Sequence, residues 1–214
     1  VLDDELKGGI QKELVATDRK GNAIFGSVLS KYLPDKGKSV TLTIDASIQF
    51  IAERALDKAM EDTGAKHASV IVMDPKTGEI LAMANRPTYD PNHYSQGSEE
   101  DFKNIAVTNL YEPGSTFKPI IASAALASGK WKLDQVYNDK GSFVANGHVM
   151  QNWNGEGYGP VRLIDILKFS INTGMAEIGT TTGADILSKY VRNYGFGSKT
   201  GIELPGEGDG ILYN

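Results

Sequence analysis

Cysteine is absent from the 214 residues, which excludes disulfides and thiolate metal sites while leaving the compartment open, because many exported proteins avoid the residue. No run of about eighteen apolar residues occurs, so no segment of the chain is expected to span a membrane, and any anchor is expected upstream of Val1. Histidine is scarce: His67, His93 and His148 match no metal-ligand spacing and read as surface or loop residues. Positive charge is in deficit, with 22 Lys and Arg against 27 Asp and Glu, a net charge of -5 and a pI near 5.3. With no basic cluster interleaved with aromatics, nucleic acid is excluded as a partner. Internal repeats and low-complexity tracts are also missing. The start at Val1, without a methionine or a signal-like segment, reads as a processed product or an expressed fragment.

What is present is ordinary for a soluble globular protein, 40% apolar and 23% charged. Residues 1–39 are polar and turn-rich and read as a lead-in segment with two short strands, Ala23 to Phe25 among the apolar pieces. The alternation VTLTI predicts a strand from Val40 to Ile44. Asp45 then caps a helix with Ile48, Ile51, Ala52, Ala55, Leu56 and Ala59 on one face, ended by Gly64. Ala68 to Asp74 and Glu79 to Asn85, joined by Pro75-Lys76-Thr77-Gly78, predict a hairpin in a buried antiparallel sheet. Residues 86–103 read as a long surface loop, and residues 130–158 as irregular chain. Val161 to Lys168 and Ala184 to Tyr194 have helical spacing, the second closed by Gly195.

The chemistry concentrates in EPGSTFKP, Glu112 to Pro119. Pro113-Gly114 breaks the preceding chain, and a buried helix is expected to run on to Gly129, with Ser115 and Lys118 one turn apart on one face. A serine hydroxyl is a poor nucleophile until a base removes its proton, and a lysine serves as that base when burial lowers its pKa. Pro119 has no N–H, so the Ser115 carbonyl lacks its usual helical partner and an irregular first turn is expected. Ser-x-x-Lys alone is weak, since such a pair arises by chance roughly once in a chain of this size. Downstream, Ser170-x-Asn172 falls at a helix-to-helix junction that could project a hydroxyl and an amide into a cleft, groups suited to relaying a proton and binding a peptide carbonyl.

In this order the two boxes resemble those of penicillin-binding proteins and serine β-lactamases. The longer stretches YEPGSTFKP, VIVMDPKTGEILAMANRPTYDPN and YGFGSKTGIELPGE resemble the transpeptidase domain of class B penicillin-binding proteins. The resemblance runs from about Val40 to the end, and LDDELKG is similar to the tail of that family's pedestal domain. It implies an α+β fold of the penicillin-binding/β-lactamase-like type, an antiparallel sheet with helices on both faces, over residues 40–214. It implies a serine-type D-Ala-D-Ala transpeptidase of the bacterial cell wall, without a cofactor, acting on peptidoglycan stem peptides and acylated by β-lactams. Ser115 would be the nucleophile, Lys118 the base, Ser170 a proton relay and Asn172 the holder of Lys118 and of the substrate amide. Trp153 would line the cleft, the alternative being a half-buried loop anchor. The same resemblance implies a place on the extracytoplasmic face of the cell membrane, beside assembly proteins of the division or elongation machinery.

The family's third box is Lys-Thr/Ser-Gly on a core strand. Lys199-Thr200-Gly201 has those letters, but it lies too close behind Asn172, and the glycines around it predict a turn, not a core strand; Glu112 and Glu207 read as structural carboxylates at turns. The true box is therefore expected beyond Asn214, and this chain, taken alone, is expected to lack the C-terminal part of the domain and to be poorly active. Two alternatives stand beside this reading: a β-lactamase or β-lactam sensor, for which no second base is evident, and a non-catalytic module that docks cell-wall assembly partners.

Overall fold

The computed structural model describes residues 2–8, 18–20 and 37–212, and the Ala23 to Phe25 piece lies outside them. The chain forms two compact units, one of residues 1–108 and 203–206, the other of residues 109–202 and 207–214.

The first unit contains α1 (Asp3–Leu6), α2 (Ala46–Thr63), the antiparallel hairpin β1 (Ala68–Met73) and β2 (Ile80–Arg86), and α3 (Ile105–Thr108). Asp45 starts α2 as expected, its carboxylate accepting from the N–H groups of Ser47 and Ile48, and Gly64, at φ +65°, ends it. The buried face of α2 is narrower than its sequence pattern. Ala52 and Leu56 are buried and Ile48 is half-buried, one row at i, i+4, whereas Ile51 is 64% exposed and Ala55 and Ala59 face solvent. The hairpin turn follows its residues: Asp74 N–H donates to the Glu79 carbonyl, Gly78 N–H to the Asp74 carbonyl, and Gly78 takes φ +79°. Only one face of the hairpin is well buried. Ala82 and Ala84 pack inward while Ile71 and Met73 stay about half exposed, so the hairpin expected in a buried sheet is buried on one face among the described residues.

Val40 to Ile44 is not a strand. The outer edge of β2 is satisfied mainly by side chains in place of a ladder: Thr43 Oγ1 donates to the Ile80 carbonyl, and the Gln49 amide both accepts from Met83 N–H and donates to the Met83 carbonyl. Among the described residues the backbone bond to this edge is Asp45 N–H to the Leu81 carbonyl. The long loop carries a 3-10 turn, Pro91–Gln96, capped by Asp90. In the acidic run, the Asp101 carboxylate accepts from the N–H and hydroxyl of Ser98.

The second unit is built on α4 (Lys118–Ala127), α5 (Leu163–Lys168), α6 (Asn172–Thr182) and α7 (Ala184–Asn193). Its core joins Ala122, Trp131, Leu163, Ile166, Ile171 and Ile178, with Ile166, Ile171 and Ile178 at most 1% exposed. Each such isoleucine contributes about 1.5–3 kcal/mol of burial. The alanines of α4 and Gly174 of α6 admit close helix approach, and a Cβ at Gly174 would lie 2.7 Å from the Ile166 side chain. Residues 130–158 are not irregular. Strands β3 (Tyr137–Asp139) and β6 (Gly159–Val161) pair antiparallel, and β4 (Ser142–Ala145) and β5 (His148–Gln151) form a hairpin. Its turn is Asn146-Gly147, both at positive φ, the strongest short hairpin signal a sequence offers.

Replacing Asp45 with alanine is expected to destabilise the protein by about 1 kcal/mol through loss of the cap, read as a lower denaturant midpoint at unchanged slope.

Candidate active site

Local backbone chemistry sets the first element. Gly114 to Phe117 form a 3-10 turn that runs into α4, and the Ser115 carbonyl accepts from Lys118 N–H, three residues on. This is the expected effect of Pro119, which cannot donate to that carbonyl, so the tighter turn satisfies it. Ser115 is exposed at the helix start, where backbone N–H groups lack intrahelical acceptors. Lys118 is 9% exposed.

Ser170 and Asn172 come from the α5–α6 junction. Ile171 is buried in the core and pins the junction, while Ser170 takes φ +54°, a left-handed conformation that costs a non-glycine residue energy and so reports a position held by its surroundings. That turn aims three acceptors at one point. The Lys118 ammonium donates to the Ser170 carbonyl at 2.7 Å, to Ser170 Oγ at 2.8 Å and to Asn172 Oδ1 at 2.7 Å. An ammonium has three N–H donors, and all three are used. The Ser170 hydroxyl in turn donates to Ser115 Oγ at 3.0 Å. Lys118 thus reaches Ser115 through Ser170, and burial pushes the Lys118 pKa below its ordinary value of 10.5.

Behind these groups lies a buried polar cluster that sequence reasoning missed. Asn152 Oδ1 accepts from the N–H groups of Asn172 (3.0 Å) and Thr173 (3.2 Å), and its amide donates to Asp139 Oδ2 at 2.7 Å. Burial alone would raise the Asp139 pKa. Donors from the Thr173 hydroxyl, Gly141 N–H, Tyr158 N–H and the Asn152 amide outweigh it and hold the carboxyl below the usual aspartate value. The one legible trace was Asp139-Lys140-Gly141, a spacing that suits an Asx turn.

An open groove of about 710 Å³ adjoins Lys118 and Asn172, lined also by Pro113, Phe117, Met150 and Met175. Trp153 is not among its lining residues. It is 78% exposed, which rules out the half-buried anchor. Lys199-Thr200-Gly201 is in no strand but lies in irregular backbone, with Gly201 at φ +82°. The Glu207 carboxylate accepts from the N–H groups of Thr200 and Gly201 and from the Thr200 hydroxyl, and Lys199 lies 3.7 Å from Asp209. Among the described residues no group of acidic and histidine side chains could hold a metal; His93 pairs with Asp90, and His67 and His148 are exposed.

Residues 68–214 match the model of the penicillin binding protein transpeptidase domain, and the chain belongs to that family. It is 39% identical over 214 residues to stage V sporulation protein D of Bacillus subtilis, covering 99% of this chain and 33% of that protein. To the probable peptidoglycan D,D-transpeptidase PenA of Neisseria gonorrhoeae it is 36% identical over 220 residues, covering 100% of this chain and 36% of that one. The chain thus spans about a third of the length of these curated relatives. Among solved structures it resembles Pseudomonas aeruginosa PBP2, crystallised in complex with WCK 5153, with a TM-score of 0.74 and 30% identity over 84% of this chain and 42% of that one. The transpeptidase domain of Burkholderia pseudomallei penicillin-binding protein 3 gives 0.69 and 27%, over 81% and 47%. The fold is the α+β fold of this family.

The depressed Asp139 pKa means that the folded state binds its proton less readily than the unfolded chain. Its stabilisation is therefore complete above the unfolded pKa of about 4 and is lost as pH falls through the lower folded value. Asp139→Asn is expected to flatten this acid limb in pH-dependent unfolding. At neutral pH it is expected to cost about 1–3 kcal/mol for each donor left facing the new amide, those of Asn152 and Tyr158.

Proposed function

We propose that this chain carries the acylation centre of a peptidoglycan D,D-transpeptidase, with Ser115 as nucleophile, Lys118 as base, Ser170 as relay and Asn172 as anchor of Lys118 and of the substrate amide. The observation that carries the reading is the continuous series Ser115 Oγ, Ser170 Oγ, Lys118 Nζ, Asn172 Oδ1, each step within 3.0 Å.

With Lys118 as an ammonium, protons point from lysine to Ser170 to Ser115. Loss of one proton from Lys118 reverses that polarity. Ser170 then donates to the lysine nitrogen and accepts from the Ser115 hydroxyl, so attack on a carbonyl sends the Ser115 proton through Ser170 to Lys118. The carbonyl is that of the penultimate D-alanine of a stem peptide. The new Ser115 ester forms, the peptide bond to the terminal D-alanine breaks, and the proton returns through Ser170 to the leaving nitrogen. An amine of a neighbouring strand then takes the acyl group and frees Ser115. The Ser115 N–H, at the start of the helix, supplies one oxyanion donor. A β-lactam would follow the first half only, because its leaving nitrogen stays tethered. The exposed Trp153 side chain is available to a substrate chain outside the groove. Such an enzyme would work on the outer face of the bacterial membrane, assisted by cell-wall assembly proteins.

The test is the intact mass of the full-length protein after benzylpenicillin, with Ser115→Ala alongside. The expected result is a stable adduct in the parent only; an adduct retained by Ser115→Ala would overturn the assignment. The acylation rate is expected to rise with pH through a value below 10.5, because the neutral lysine is the active form. Lys118→Arg, a cation that never loses its proton, is expected to cost about 10²–10⁴ in that rate. Trp153→Ala is expected to raise the half-saturating stem-peptide concentration with little change in limiting rate, measured by D-alanine release.

A further inference from the structure

We propose that Asn152, clamped by Asp139, is a positioning residue for this acylation centre, acting as the missing N-cap of α6 and so fixing where Asn172 presents its amide oxygen to Lys118. The inference rests on the functional reading above and adds residues to it that lie outside both sequence boxes.

The need for such a residue follows from the helix itself. The first N–H groups of α6, those of Asn172 and Thr173, have no acceptor within the helix, and a preceding Ser, Thr, Asp or Asn usually supplies one. Here the preceding residue is Ile171, which has no side-chain acceptor and is committed to the core at 1% exposure. Asn152, distant in sequence, fills the role: its Oδ1 accepts from both N–H groups and lies 3.3 Å from Thr173 Oγ1.

An asparagine amide could sit either way round, and only one orientation caps the helix. Asp139 decides it. The ionised carboxylate is acceptor-only, so it takes the Asn152 NH₂ at Oδ2, and a second acceptor, the Glu156 carbonyl, takes the other hydrogen at 2.9 Å. Asp139 Oδ1 meanwhile accepts from Thr173 Oγ1 at 2.6 Å, tying the same helix turn a second time. The adjacent Gln151 carbonyl accepts from Asn172 Nδ2 at 3.1 Å, which turns Asn172 Oδ1 towards the lysine. Residues 151 and 152 therefore hold both the backbone and the side chain of Asn172. Asn152, Asp139 and Thr173 are each at most 4% exposed, so water competes little for the bonds among these three side chains.

The experiment compares the full-length parent with Ser115→Ala, Asn152→Ala, Asp139→Asn and Thr182→Ala. Thr182 bonds the Ile178 carbonyl at the far end of α6 and serves as a control for loss of stability alone. Acylation by a fluorescent penicillin is resolved into a half-saturating concentration and a limiting rate, beside thermal unfolding. Hydrogen exchange is followed in peptides containing Asn172 and Thr173. The expected result for Asn152→Ala is a limiting rate about tenfold to a hundredfold lower at similar half-saturation, with faster exchange at those peptides. Thr182→Ala should keep the parent rate within about twofold despite a lower Tm. Should Asn152→Ala not fold, Asp139→Asn, which keeps the volume but replaces the charged acceptor-only carboxylate with an amide carrying an N–H donor, is held to the same signature. Parent-like acylation in a folded Asn152→Ala, or an equal slowing in Thr182→Ala at matched Tm, would overturn the positioning role while labelling of Ser115 stands. Equal labelling of Ser115→Ala and parent would instead overturn the functional reading, and this inference with it.

Discussion

A lysine ammonium with almost no access to water must find three acceptors in protein, and the second unit of this chain is arranged around meeting that demand for Lys118. An unpaired N–H there would cost the full desolvation of part of a charge, more than a surface residue of either helix could offset. All three acceptors come from a single junction, Ser170 to Asn172, so the junction must be placed to within a fraction of an ångström relative to the start of α4. Core packing does the coarse part of this: Ile166, Ile171 and Ile178 bind α5 and α6 to the alanine-rich face of α4. The fine part falls to the buried polar cluster, because hydrogen bonds constrain direction where apolar contacts do not.

The same demand explains two local irregularities that would otherwise look like defects. Ser170 sits in a left-handed conformation because its carbonyl and its hydroxyl must both face the lysine. The turn leading into α4 is tightened to 3-10 because Pro119 withholds a donor, and this leaves Ser115 at an exposed helix start while Lys118 turns inward. One side chain meets solvent and the other avoids it, although they are three residues apart. The roles proposed for the pair, a nucleophile that reaches a substrate and a base that loses a proton, call for that difference in environment.

Much of the first unit follows from local rules. The α2 cap at Asp45, the Gly64 stop and the Asp74 to Glu79 turn appear where their residues demand them. Two expectations failed for one reason, namely that periodicity reports which residues are apolar and not which faces find a partner. Val40 to Ile44 alternates like a strand but meets β2 through the Thr43 hydroxyl, the backbone bond coming from Asp45, and Ile51 belongs to an apolar row of α2 that stays exposed. In the second unit Asn146-Gly147 is a hairpin signal, but its flanking strands are only four residues each, too short for alternation to mark them.

By itself the sequence determined the chemistry available: a serine and a lysine one helical turn apart, a proline that distorts that turn, a Ser-x-Asn at a helix junction and a Lys-Thr-Gly surrounded by turn residues. Each of these depends on neighbours a few positions away, and local sterics and hydrogen bonding are written in local sequence. Only the tertiary structure decided that Lys118 reaches Ser115 by way of Ser170, that Asn152 caps a helix twenty residues on, and that Asp139 sets the direction of that cap. Those outcomes rest on donors and acceptors brought together from distant parts of the chain. Their pairing is set by which polar groups are buried together, and no spacing along the chain encodes it.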